Sequence, residues 1–208
     1  MEPQTAENGA SAAIVPQLVA VNLLSTTPAG LQALYRSRTE EQLRDCPIVI
    51  YAAQPGSTKG LLIMNIECLF RPLEQERFTT AIAAMIGGGK RVTIIGEELE
   101  GVLRLNSWAT SAGCSVSSAG DPKQGSELLD IVKPDLIVID LSRLGAEGAA
   151  LVVKVRRSAR IQELPILLLL PPNGTSPTAG LFLKRLASLA EEAPLDLAPL
   201  SQRLTQSR

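Results

Sequence analysis

The chain has 208 residues, 45% of them hydrophobic, with 20 Lys and Arg against 21 Asp and Glu. It can therefore bury a large core, and it carries almost no net charge. The near-zero balance, with one Trp, two Tyr and three Phe, argues against nucleic-acid binding as a main activity. The sequence contains no His, which excludes Ser-His-Asp triads, imidazole zinc sites and phosphohistidine chemistry on this chain.

The cysteines and the apolar runs predict where in the cell the protein occurs. The three cysteines are far apart and lack CxxC spacing, which predicts reduced core thiols in a cytoplasmic protein. The longest apolar run, around Leu164–Leu170, is far too short to span a bilayer, so we expect no membrane insertion.

The first part of the chain shows a strand, a helix and a second strand. Pro16 opens the stretch PQLVAVN, an apolar run that ends on Asn22. A helix-like stretch covers Leu31–Arg38, and Pro47 leads the strand IVIYAA. Glycines 87–89 then form a linker that is flexible but very short, so the segments on its two sides should lie close together.

Strands and helices alternate in the segment after the linker. Short runs of Val, Ile and Leu alternate with amphipathic stretches bounded by Gly, Pro and Asn, which is typical of strands buried on both faces under helices. The predicted elements are strand Arg91–Ile95, helix Glu98–Ala112, strand Cys114–Ser118, helix Pro122–Val132, strand Asp135–Ile139, helix Gly148–Arg157, strand Ile166–Leu170, helix Thr178–Ala190 and a short strand at Leu195–Leu197.

Four features recur at one spacing of 118 residues. They are a Pro-led strand that ends on Asp or Asn, a Gly eight residues later, a helix with a basic end, and a second Pro-led strand. The matched features are Asn22 and Asp140, Gly30 and Gly148, the helix-like stretches Leu31–Arg38 and Ala149–Arg157, and Pro47 and Pro165. Four matches at one spacing predict a duplication and two domains of similar fold, over residues 1–86 and 89–208.

The predicted fold class is α/β with a doubly wound parallel sheet, because strands and helices alternate with short connections. Ligands and chemistry in such sheets lie at the carboxyl ends of the strands. Asp140 ends the predicted strand in KPDLIVIDLSRL, so it is placed where chemistry would occur.

The second copy resembles a response-regulator receiver domain. The resemblance is carried by GKRVTIIGEELEGVLRLNSWATSAG, by KPDLIVIDL with Gly148 eight residues on, and by LPILLLL. The first copy resembles the rear part of the same domain through PQLVAVNLLSTTPAGLQAL, CPIVIYAA and ECLFRPLEQERFTTAI. In that last stretch Arg71 stands before Pro72 where the family has Lys. The resemblance implies a flavodoxin-like fold in one partial and one near-complete copy.

The first copy lacks the counterparts of the first two strands and the first helix, which would fall before Met1. Three explanations stay open. The start codon is misassigned, the missing part is supplied by the second domain or by a partner, or the first copy is a remnant held by its neighbour.

The resemblance also implies a phospho-acceptor site at Asp140. In the family, two acidic residues after the first strand hold Mg²⁺ beside the acceptor, and here they fall on Gly96 and Glu97, with Glu98 adjacent. Glu97, Glu98 and Asp140 are therefore the candidate Mg²⁺ ligands, if Asp140 is phosphorylated. Otherwise no cofactor is expected.

Other positions of the implied site are lost. The family's Ser or Thr after the fourth strand falls on Leu170, and its Lys-Pro pair falls on Ala198-Pro199, with Lys184 on the preceding helix no obvious substitute. In the first copy the acceptor becomes Asn22. Two interpretations of Asp140 follow: an inherited acid that is solvated or caps a neighbouring amide, or an acceptor that is phosphorylated slowly or conditionally.

The expected function is that of a non-enzymatic pseudo-receiver. It would be an interaction module in a two-component or phosphorelay pathway, acting without phosphorylation. The alternative is a stand-alone response regulator phosphorylated on Asp140. Expected partners are a signalling kinase, an output protein or a second copy of the chain, and no nucleic acid.

Overall fold

A computed structural model gives the structure of the chain. It describes residues 18–22, 29–40, 43, 46, 48–53, 61–87, 89–158 and 160–172. The predicted helix Thr178–Ala190 and the predicted strand Leu195–Leu197 lie outside the described residues. No helix in the described ranges is long and apolar enough to cross a membrane.

The first unit of the structure is a three-stranded sheet with one helix. It consists of β1 (Val19–Asn22), α1 (Ala29–Thr39), β2 (Ile48–Ala53) and β3 (Leu61–Met64). The strand order is β1-β2-β3, with β1 parallel and β3 antiparallel to β2. The helix ends on a turn that carries Arg36 and Arg38, where positive charge is favoured by the helix dipole.

The second unit is a five-stranded parallel sheet covered by helices. Its elements are β4 (Ile66–Phe70), α2 (Gln75–Ile86), β5 (Arg91–Ile95), α3 (Leu99–Ser111), β6 (Ser115–Ala119), α4 (Pro122–Ile131), β7 (Leu136–Asp140), α5 (Leu141–Arg157) and β8 (Ile166–Leu170). Strands β7 and β8 are buried along their whole length, as expected for central strands of a sheet with both faces covered.

The strand order of this sheet is β4-β8-β7-β5-β6. If β5 is taken as the first strand, this is the flavodoxin-like order 2-1-3-4-5, with β4 in the fifth position although it comes first in the chain. The predicted fold class is therefore confirmed. The fifth strand and its helix α2 are supplied from the amino-terminal side.

The position of β4 corrects one part of the predicted domain organisation. The sequence predicts a first domain that ends at residue 86 and so includes β4 and α2, with glycines 87–89 as a linker between domains. In the structure β4 pairs in parallel with β8 along its whole length, from Ile66 opposite Ile166 to Phe70 opposite Leu170. Without β4, the apolar strand β8 would be an edge strand with unpaired backbone groups, and pairing with another apolar strand covers that edge. The glycines thus connect α2 to β5 within one unit.

Two apolar clusters form the core, one on each face of the five-stranded sheet. One contains Phe78, Ile82, Leu105 and Leu136, under α2 and α3. The other contains residues of the first unit, including Val21, Leu34 and Ile50, together with residues of the second, including Cys68, Phe70 and Ile139. The first unit therefore shares its core with one face of the five-stranded sheet.

The repeat spacing reappears in the strand pairing. In the first unit Val19 lies opposite Ile48 and Asn22 opposite Tyr51. In the second, Ile137 lies opposite Ile166 and Asp140 opposite Leu169, which is the same register moved by 118 residues. This agreement concerns one strand pair in each unit, and the duplication of the whole domain stays a prediction.

The predicted strands and helices from Arg91 to Leu170 are present, with ends shifted by a few residues. The largest difference is at α5, which begins at Leu141 rather than Gly148 and bends at Gly145, where φ is +56°. Only Gly adopts this backbone conformation readily, so Gly145 separates a first helical turn from the predicted helix.

Candidate functional site

Asp140 is the last residue of β7, in the middle of the five-stranded sheet. Its neighbours in the sheet are β5 and β8, and only 4% of the residue is exposed. The chain passes directly from Asp140 into α5, and the Asp140 side chain accepts a hydrogen bond from the Ser142 amide as the helix cap. As an inherited acid, Asp140 was expected to be solvated or to cap a neighbouring amide; it caps the Ser142 amide and is buried. Whether it is ever phosphorylated stays a prediction.

Both carboxylate oxygens of Asp140 are engaged. Oδ2 forms an ion pair with Nη2 of Arg71 at 2.5 Å. Oδ1 accepts from the Ser142 amide at 3.1 Å and from the Ser142 hydroxyl at 2.5 Å. Nε of Arg71 donates to the same hydroxyl at 2.7 Å. The three side chains form a closed ring of charge-assisted hydrogen bonds, which are among the stronger polar contacts in proteins.

Arg71 reaches Asp140 because of the strand order. It directly follows β4, and its amide donates to the carbonyl of Leu170 at the end of β8 at 3.0 Å. The Arg71–Pro72 peptide is cis. The resemblance placed Arg71 in the first copy, away from Asp140. Instead, it supplies the positive charge at the Asp140 site.

The residues at the predicted acidic positions do not place carboxylates next to Asp140. Gly96 lies beside it, since a Cβ added at Gly96 would be 3.5 Å from the Asp140 Cβ, but Gly contributes no carboxylate. Glu97 and Glu98 are both exposed. Glu98 instead pairs with Arg143, with 3.0 Å between Oε2 and Nη2.

The described residues do not bring the three predicted Mg²⁺ ligands together at one point. Hard cations take several oxygen ligands, and among the described residues no group of three or more Asp, Glu, Cys or His converges on one point. The Asp140 oxygens are already bonded to Arg71 and Ser142. The assignment of Glu97, Glu98 and Asp140 to a metal site stays a prediction.

Two further predicted positions can be located. Leu170 is buried at the end of β8, and its carbonyl accepts from Arg71. Asn22 ends β1, where its side chain exchanges two hydrogen bonds with the backbone of Ala53, of 3.0 and 3.1 Å. It therefore bridges two strand ends as an uncharged group. Lys184 and Ala198-Pro199 lie outside the described residues.

Sequence reasoning missed Ser142 and the role of Arg71. One signal was available for Arg71. The segment after Leu170 has only Ala198-Pro199 where the family has Lys-Pro, so the predicted site lacked a cation and another basic residue had to supply it. ECLFRPLEQERF had the right local pattern, but local pattern does not identify the sheet that a strand joins. Ser142 has no distinguishing spacing.

The fold and the site define a doubly wound α/β unit with an acid at the end of its central strand. No family model matches the chain. It is similar to the two-component response regulator ARR17 of Arabidopsis thaliana, with 35% identity over 54 residues, 26% of this chain and 35% of the relative. The chain thus matches about a third of the length of that curated relative.

Solved receiver domains are also similar to the chain. The chemotaxis response regulator CheY4 of Vibrio cholerae has 21% identity and a TM-score of 0.41, covering 57% of this chain and 98% of that chain. The receiver domain of the sensor histidine kinase PA1611 from Pseudomonas aeruginosa has 18% identity and a TM-score of 0.42, covering 57% and 97%. The sequence and structure comparisons thus both find response-regulator receiver proteins among the proteins similar to this chain.

Proposed function

We propose that the chain is a pseudo-receiver, a protein-interaction module of a two-component or phosphorelay pathway that acts without phosphorylation of Asp140. The similarity to response-regulator receivers supports the pathway. The observation that carries the rest is the closed ring formed by Asp140, Arg71 and Ser142.

The ring opposes phosphorylation by electrostatics and by access. Both oxygens of Asp140 accept hydrogen bonds from Arg71 or Ser142, which lowers their nucleophilicity and places protein groups where a phosphoryl donor would have to approach. Gly96 and Leu170 add to this, because neither side chain can hold a cation or donate a hydrogen bond to a phosphoryl group.

The proposed activity is therefore binding rather than catalysis. The partners would be proteins, namely a signalling kinase, an output protein or a second copy of the chain, in the cytoplasm. No cofactor is needed for such a role. The chain would be no enzyme, because the absence of His and the engaged Asp140 leave the described site without a general base.

Treatment of the full chain with acetyl phosphate and Mg²⁺ tests the proposal. Intact mass spectrometry should find no phosphoryl adduct on the wild-type protein and none on the Asp140→Asn variant. An adduct on the wild type that disappears in Asp140→Asn would reject the pseudo-receiver and establish the alternative, a response regulator phosphorylated on Asp140.

A further inference from the structure

We infer that the first unit of the chain keeps the Asp140 site closed: α1 fixes β4 against β8, and β4 in turn fixes Arg71 on Asp140. This inference rests on the proposed function, in which the Asp140 carboxylate is closed to phosphorylation. It adds the regulation of that site by another part of the same chain.

The link between α1 and β4 is a forked ion pair. Arg38 near the end of α1 donates from Nε and Nη2 to the two carboxylate oxygens of Glu67 on β4, at 3.0 and 2.6 Å. The two side chains are only 11% and 22% exposed, so solvent screens the pair weakly. A bidentate guanidinium–carboxylate pair fixes direction as well as distance.

A second contact between α1 and β4 lies next to Arg71. The ring of Tyr35 on α1 packs edge-on against Phe70, with centroids 5.1 Å apart and planes at 87°. Phe70 is the last residue of β4 and the immediate neighbour of Arg71. The first unit thus contacts the strand that carries the cation at two points, one of them beside the cation itself.

The other end of β4 is held by α5. Nη2 of Arg156 donates to the carbonyl of Asn65, the residue before β4, at 3.0 Å. Arg156 is separated from Arg38 by the repeat spacing of 118 residues, so the matched arginines of the two units both contact this segment. Because β4 is an edge strand, it pairs with a neighbouring strand on one side only. Its position therefore depends more on the contacts with α1 and α5 than the position of a central strand would.

Hydrogen–deuterium exchange on the full chain tests the coupling. The Ser142 amide bonds to Asp140, so the segment 140–144 reports closure of the site, and the segment 66–72 reports the placement of β4. Arg38→Gln should raise exchange at least about tenfold in both segments, because loss of one charged hydrogen bond alone corresponds to about that ratio and the fork has two. Arg36→Gln, which removes the same charge from an exposed position on α1, should raise neither.

Strand β5 gives the internal reference. Exchange in Arg91–Ile95 should stay unchanged if the effect of Arg38→Gln is local. If exchange in β5 rises in step, the measurement is repeated with Arg38→Lys, which keeps the charge and removes the fork. This variant should then affect segments 66–72 and 140–144 alone.

Three results would overturn the inference: faster exchange in 66–72 without any change in 140–144, no change in either segment, or a uniform rise that persists in Arg38→Lys. None of these depends on phosphorylation. Failure of the proposed function appears separately, as an acetyl phosphate adduct on the wild-type protein.

Discussion

Arg71 and Asp140 form an ion pair of 2.5 Å across a separation of 69 residues in the chain. Their side chains are 19% and 6% exposed, so both charges are largely withdrawn from water. The desolvation of such a pair offsets much of its attraction, yet removal of one partner leaves an uncompensated buried charge. The pair therefore matters most when one of its members is changed.

Arg71→Met should destabilise the protein by about 3–5 kcal/mol, because Asp140 would remain buried without its cation. Arg143→Met is the matched control: Arg143 also pairs with a carboxylate, but the two side chains are 52% and 47% exposed. An exposed pair contributes about 0–1 kcal/mol. Urea unfolding followed by circular dichroism measures both free energies. Equal losses in the two variants would contradict the buried pair.

The double variant Arg71→Met with Asp140→Leu should recover most of the stability lost in Arg71→Met. Replacing both charges by apolar groups of similar size removes the unpaired carboxylate, and such replacements are often neutral or stabilising. The coupling between the two sites, obtained from the same unfolding curves, should be at least about 1 kcal/mol. Additive effects would mean that the two residues act independently.

The elements after Arg91 could be predicted from sequence because their signal is local. Runs such as LIVID and ILLLL are apolar on both faces, which only a central strand requires. The edge strand IECLF has the same local pattern, but its partner depends on competition between distant segments for the outer edge of β8. Periodicity contains no information on that competition, so β4 was assigned to the wrong sheet.

The acid of the candidate site could also be predicted, whereas its partner could not. Asp140 ends the apolar run LIVID, which predicts a strand by its local composition, and sites in parallel sheets lie at the carboxyl ends of strands. Arg71 becomes a site residue only because β4 joins the second sheet. Because β4 takes the place of the family's last strand, the residue at the Lys position precedes β5 in the chain and does not follow Leu170.

Gly148→Ala should destabilise the protein by about 1–3 kcal/mol, the usual cost of overpacking a core. An added Cβ would lie 2.8 Å from Leu141 Cδ2 and 2.8 Å from Leu144 Cβ, and a Cβ atom cannot move without the backbone. The control is Gly101→Ala in α3, where the nearest side-chain atom would be Glu98 Oε2 at 3.6 Å. That variant should be neutral or gain up to about 1 kcal/mol from helix propensity. Thermal unfolding distinguishes the two, and stabilisation by Gly148→Ala would contradict the packing around α5.

Asp135 should contribute stability that is lost in acid. The Arg91 amide donates to its carboxylate at 2.9 Å, and this hydrogen bond, with a smaller effect of the Arg91 side chain, lowers the pKa of Asp135. A lowered pKa in the folded state adds stability above the ordinary Asp value of about 3.9, and the gain disappears as pH falls through the folded pKa. Asp135→Asn should therefore be less stable than the wild type at pH 7 but converge with it in acid, at pH values below the ordinary Asp pKa. A constant difference from pH 7 to pH 2 would contradict this assignment.

Cys68 should resist alkylation that modifies Cys46. Burial, reinforced by the nearby charge of Glu67, raises the pKa of the Cys68 thiol well above its ordinary value, whereas Cys46 is partly exposed. The thiolate is the reactive form, so at pH 8 iodoacetamide should label Cys46 long before Cys68, as followed by peptide mass spectrometry. A raised pKa in the folded state also means that this contribution to stability is full below the ordinary thiol pKa of about 8.5 and declines as pH rises toward the folded value. Cys68→Ala should remove that decline in stability. In the alkylation experiment, modification of Cys68 at the rate of Cys46 in the folded protein would show that β4 does not lie against α1 and β8.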